Sequence, residues 1–184
     1  SFNKAENGFI AIGGQDTHGK TLSTIEIFNG NEWQQFNTDV SLSNHCTAKS
    51  SDGTGPLYIL GGNDTGSVYL FTPSQTLQFH SQLPLPIHSA ACYVDPWGNI
   101  HLLGGIANGR ALNKHFVYNI NSGSTWEELK EFPLPLELAE SGSILLPSGN
   151  FLIAGGRSYR QMPALDMTHL LITHKTLTNN ERVS

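Results

Sequence analysis

Charge is scarce in this sequence. Only 14% of its residues are charged, against about 25% in an average soluble domain. Acids outnumber bases 15 to 10, and the formal net charge is −5. Arginine is especially rare, with four in 184 residues. A phosphate-binding surface needs clustered positive charge, so no nucleic acid is expected as a partner. Cysteine occurs twice, with no C-x-x-C pair. That removes a disulfide framework, a structural zinc site and a thioredoxin-type motif. No apolar run approaches the roughly 18–20 residues of a membrane-spanning helix, so no membrane span is expected. No segment keeps the period of about 3.6 that marks an amphipathic helix. There is also no G-x-G-x-x-G turn and no phosphate loop. No charged-then-apolar leader opens the chain, which begins on Ser1; a processed chain or a piece of a longer one is the expectation.

Glycine, by contrast, is plentiful, at 19 residues, and it is patterned. Gly-Gly doublets stand at Gly13-Gly14, Gly61-Gly62, Gly104-Gly105 and Gly155-Gly156. They recur at spacings of 48, 43 and 51 residues, the scale of a repeat architecture. Each follows an apolar or nearly apolar run: Phe9–Ile12, Leu57–Leu60, Ile100–Leu103 and Phe151–Ala154. Ahead of each run stands a turn, such as Asn7-Gly8 or Asp95-Pro96-Trp97-Gly98-Asn99. After each doublet come a polar loop and a second apolar strand: Thr24–Phe28, Val68–Phe71, His115–Tyr118 and His169–Ile172. A shorter strand follows, with an aromatic in three units: Trp33, Phe79 and Trp126.

Each full unit thus reads as four short strands joined by turns, with units one and four incomplete at the chain ends, and the chain as all-β. The run before each doublet is apolar on both faces, as a strand covered from both sides must be. Stacking such sheets radially gives a β-propeller. The units fall at approximately 1–39, 40–83, 84–132 and 133–184, forming one domain over 1–184.

These features resemble the kelch repeat family. Its unit carries four apolar residues, a Gly-Gly doublet and a spaced aromatic pair. Unit one matches with Gly13-Gly14, Phe28 and Trp33, and unit three with Gly104-Gly105, Tyr118 and Trp126. Unit two keeps Gly61-Gly62 and Phe71 without a Trp; unit four keeps Gly155-Gly156 and lacks both aromatics. The resemblance implies kelch-type four-stranded antiparallel blades. Closed kelch rings usually hold more than four, so part of a larger or assembled propeller is expected. Its open blade faces would meet further blades or a second copy.

Function is sought in the loops, which carry variation in such folds. The post-doublet loops share one face and supply the candidate binding residues: Asp16, His18, Asn63, Asp64, Asn108, Arg110, Arg157, Tyr159 and Arg160. Three of the four arginines belong to this set, and Arg and Tyr are the types enriched at interface hot spots. A protein or peptide ligand is therefore expected. The doublet glycines, Trp33 and Trp126 are read as structural.

His45 and His88 lie the same distance ahead of their doublets, and both are candidates for a central channel. No histidine pair has chelating spacing, and neither a metal nor a cofactor is expected. Counting back from the doublets puts Cys46 and Cys92 too far apart along their strands for a bridge, so two unpaired thiols are expected. Asn63-Asp64-Thr65 fits the N-glycosylation pattern and tilts localisation toward an extracellular setting.

The leading expectation is a noncatalytic protein-binding module. One alternative is a fragment of a propeller enzyme, copper-radical oxidase-like or glycan-processing, with polar groups converging near His45 and His88. Another is a structural cytoskeletal or matrix module that meets its partners through blade edges.

Overall fold

The computed structural model of the chain describes residues 2–5, 8–49, 55–63, 65–72, 76–123, 125–146, 148–158 and 170–172. Among them the only regular elements are β-strands, paired antiparallel throughout. No helix of the described residues is long and apolar enough to cross a membrane. The chain divides into two compact units.

The first unit is built on Ser1–Lys49 and Gly53–Ser89. Its first sheet runs β1 (Phe2–Ala5), β2 (Gly8–Ile12), β3 (Thr24–Phe28) and β4 (Trp33–Asn37), in that order. The sequence reading, which starts this sheet at Phe9, has no counterpart for β1. The second sheet runs β5 (Cys46–Ala48), β6 (Leu57–Leu60), β7 (Ser67–Phe71) and β8 (Leu77–Gln82). Alternation decides which side chains meet. Ile10, Ile12 and Ile25 of the first sheet form one buried cluster with Leu57, Ile59 and Phe71 of the second and with Leu42 of the linker. All four residues of β6 are buried, as its unbroken apolar run requires.

The second unit, built on Ala90–Ser184 with Ser50–Asp52, repeats the plan. Its strands are β9 (Ala91–Val94), β10 (Asn99–Leu103), β11 (Ile106–Ala107), β12 (Arg110–Ala111), β13 (His115–Asn119), β14 (Glu127–Glu128), β15 (Gly142–Leu145), β16 (Phe151–Ala154) and β17 (Leu170–Ile172). A four-stranded sheet has the order β14-β13-β10-β9, and a three-stranded one the order β15-β16-β17. Ala91, Tyr93 and Leu103 of the larger sheet pack on Phe151 and Ile153 of the smaller, with Leu134 and Leu138 of the linker. The post-doublet segment read as a loop at Ile106–Arg110 is instead the β11–β12 hairpin. Asn108 and Gly109 form its two-residue turn with φ of +51° and +70°. Positive φ at both central residues is what such a tight hairpin demands.

One further expectation is corrected. Cys46 and Cys92 are not free thiols; both are disulfide-bonded. Cys46 opposes Leu60, immediately before one doublet, and Cys92 opposes Leu102, one residue further back from the next. In the repeat frame they therefore differ by a single step. Counting through the hairpins misplaced them because the β5–β6 connection is longer than the β9–β10 turn. Phe79, the aromatic expected in the shorter strand of the second repeat, lies in β8. Phe71 opposes Leu77, whereas Phe79 packs edge-on against Tyr69 at 6.1 Å.

Candidate functional site

Each doublet turns the backbone where its apolar strand ends. At Gly61 and Gly104 the backbone turns with φ of +64° and +65°. A Cβ there would lie 2.0 Å from the Ile87 carbonyl oxygen and 2.3 Å from that of Leu138. Only glycine permits both the left-handed turn and the contact. Gly13 meets the Leu42 carbonyl in the same way. The second glycine then donates its N–H to the linker entering the next sheet: Gly14 to Leu42 at 2.7 Å, Gly62 to Ile87 at 3.0 Å, and Gly105 to Leu138 at 2.8 Å. In the fourth repeat a Cβ on Gly155 would touch nothing, while one on Gly156 would meet Leu138 and Ala139.

The candidate loops are ordered by their own polar residues. Asp16 accepts the backbone N–H of His18 at 2.8 Å and of Lys20 at 2.9 Å, closing its loop and leaving His18 exposed. The Asn63 side chain is committed to the linker. It accepts from the Ser43 N–H at 3.0 Å and hydroxyl at 2.6 Å, and its amide donates to the Ser41 carbonyl. A glycan on that nitrogen would break the last of these bonds. Asp64, Tyr159 and Arg160 lie outside the described residues.

Arg110 and Arg157 share an anchor. Ile106 and Ala111 of the Arg110 hairpin pack on Ala139. Ala139 in turn exchanges both backbone hydrogen bonds with Arg157, at 3.0 and 2.8 Å. Both arginine side chains are exposed, as is Asn108 at the hairpin tip. Arg157 contacts Glu140 at 3.2 Å, an ion pair open to solvent.

His45 and His88 do not occupy equivalent places. Asn44 and Ser89 are left-handed residues just ahead of β5 and β9, with φ of +55° and +56°. His45 follows the first and His88 precedes the second. His88 places Nδ1 3.0 Å from the Ser89 hydroxyl. Both ring nitrogens of His45 are buried without a hydrogen-bond partner. Burial pushes its pKa down to about 4, which keeps the ring neutral at pH 7.

The most connected polar group was not among the sequence candidates. His101 sits inside the third apolar run and is 2% exposed, as is His115; Asp95 is 3% exposed. His101 and His115 are diagonal neighbours on β10 and β13, since His101 opposes Val117 and Leu103 opposes His115. Asp95 Oδ2 lies 3.2 Å from His101 Nε2, His101 Nδ1 lies 2.9 Å from His115 Nε2, and His115 Nδ1 lies 3.2 Å from the Phe132 carbonyl oxygen. Asp95 also accepts from the Trp97 and Asn99 backbone N–H groups at 2.9 and 2.8 Å, and from the Asn99 amide at 2.8 Å. Burial alone would raise the Asp95 carboxyl pKa; the bonds from His101 and Asn99 outweigh it and hold the group below its ordinary value. Tyr93 stacks on His101 at 4.5 Å and on Phe151 at 4.2 Å. The signal available in the sequence was a histidine in a strand buried on both faces, which must find partners. Among the described residues no group of three His, Cys, Asp or Glu side chains is arranged to hold a metal ion. No protein-family model matches the chain, and no curated protein matches it.

Proposed function

We propose that the chain is a kelch-type β-propeller segment that acts as a noncatalytic protein-binding module through the loops after its glycine doublets. One observation carries this reading: Arg110 and Arg157 are exposed and both are anchored on Ala139, one by packing and one by backbone bonds. Two exposed guanidinium groups, carried on backbone held by one residue of an otherwise acidic chain, suit a carboxylate-bearing peptide, which at Arg157 would take the place of Glu140. The disulfide-bonded state of Cys46 and Cys92 supports an oxidising, extracellular setting for that encounter.

The test is binding of the chain to immobilised short acidic peptides at low and at raised salt. Binding that weakens with salt and is lost in the double variant Arg110→Ala/Arg157→Ala is the expected result. Binding indifferent to the variant, or no binding to any acidic peptide, would overturn the assignment.

A second reading is association through a sheet face, and a different observation favours it. Phe9, Phe28 and Trp33 face one another across β2, β3 and β4, and Phe9 and Trp33 are 55% and 52% exposed. An exposed aromatic row on a sheet marks a surface suited to another sheet.

A further inference from the structure

We propose that the line Asp95–His101–His115 stores one proton beyond those of a carboxylate and two neutral imidazoles, and that this proton completes a polar connection from the Trp97 turn to the Phe132 linker. The argument is an inventory of donors. Three hydrogen bonds run along the line: Asp95 to His101, His101 to His115, and His115 to the Phe132 carbonyl. Each needs one hydrogen, and the carbonyl at the far end has none to give. A neutral imidazole carries a single N–H. Two neutral rings beside a carboxylate therefore supply two hydrogens for three bonds.

The far end fixes the tautomers. His115 Nδ1 must donate to Phe132, so in a neutral ring His115 Nε2 can only accept. His101 Nδ1 must then donate to it. The third hydrogen lies between Asp95 and His101 Nε2. The other three contacts of Asp95 all come from donors, the Trp97 and Asn99 N–H groups and the Asn99 amide, and they favour the ionised carboxylate. The hydrogen therefore resides on His101, which becomes an imidazolium facing Asp95. The resulting line has no net charge, which makes its burial affordable in a low-dielectric interior.

The surroundings agree with this placement. Burial first and the charge of His101 second hold the His115 pKa at about 4, against the pull of the Phe132 carbonyl. Tyr93 on β9 covers the His101 ring, and burial with the Asp95 charge keeps its phenol protonated. Phe151 of β16 closes the far side of Tyr93 and carries no charge. Lys114, just ahead of β13, is paired with Glu128 of β14 at 2.7 Å. Glu131, beside Phe132, is exposed.

The line spans the sheet. Asp95 holds the β9–β10 turn that presents exposed Trp97, and His115 holds the linker leading to β15. Loss of the stored proton leaves one of the three bonds without a hydrogen and uncouples these ends. This inference is independent of peptide binding.

The test is nitrogen NMR of the intact chain labelled in its histidine rings. At about pH 7 an ordinary histidine, with a pKa of about 6.5, is mostly neutral. The expected spectrum has both ring nitrogens of His101 protonated and only Nδ1 of His115. Asp95→Asn should return His101 to a single ring proton at the same pH. A His101 ring with one proton in the unaltered chain overturns the proposal, and so does an Asp95→Asn variant that keeps both. If Asp95→Asn does not fold, the spectrum of the unaltered chain alone decides.

Discussion

His45 is the residue at which burial and chemistry are least reconciled. Its two ring nitrogens are shut away from water without a partner, and its pKa is held at about 4 by that burial. The unfolded chain takes up a proton near pH 6.5 that the folded chain refuses until about pH 4. Stability linked to His45 is therefore fully present above about pH 6.5 and is lost as pH falls toward 4. His115 is depressed to the same value and acts in the same direction. Replacing His45 by leucine removes one of these two contributions. His45→Leu should keep its stability at neutral pH, because an unpartnered buried polar group gives way to an apolar one. Between pH about 6.5 and about 4 it should lose roughly 2 kcal/mol less than the unaltered chain. Urea midpoints measured across that range decide it, and parallel curves for the two proteins would refute the linkage. Little of this was legible in the sequence. His45 was marked out by its distance from a doublet, a measure blind to hairpin length. His101 sits in a run of apolar residues, and only pairing with β13 reveals His115 as its diagonal neighbour.

At the scale of elements, the doublet glycines and the hairpin glycines separate two roles that composition merges. Gly61 and Gly109 both have positive φ, +64° and +70°. A Cβ on Gly109 would touch nothing, whereas one on Gly61 would stand 2.0 Å from the Ile87 carbonyl oxygen. Gly109→Ala should cost only the left-handed penalty, about 1–2 kcal/mol. Gly61→Ala must also displace the linker that receives the Gly62 N–H, and should cost about 3 kcal/mol or more. Denaturant unfolding of the two variants compares them directly; equal losses would mean that the approach of the linker is unimportant. The strands were the legible part. Doublets, flanking turns and apolar runs locate β2, β6, β10 and β16, because each run must end where glycine turns the backbone into the next linker. What escaped was whatever depends on pairing rather than on order: the β1 strand, the β11–β12 hairpin, and the disulfide-bonded state of Cys46 and Cys92.

Two aromatic pairs carry the argument to the whole molecule. Phe28 and Trp33 lie 5.3 Å apart with planes at 39°, and Tyr118 and Trp126 lie 5.3 Å apart at 38°. The repeat thus builds the same contact twice, but Trp126 is 9% exposed and Trp33 is 52% exposed. The first sheet thus presents half-exposed aromatic surface, and its row extends to Phe9. A second copy of the chain offers exposed apolar surface at Ile144 of β15, which is 57% exposed and paired with Leu152. Two different patches meeting in this way make a heterologous contact, which closes a ring or continues as a chain of copies. Light scattering over a range of concentrations should accordingly give a mass above the 20.0 kDa of one chain. Polar replacement of the row, Phe9→Ser with Trp33→Ser, should return the mass to that of one chain without unfolding it, because both side chains are already half in water. A single-chain mass for the unaltered protein at every concentration would rule out self-association and leave the loop face with Arg110 and Arg157 as the place to look for a partner.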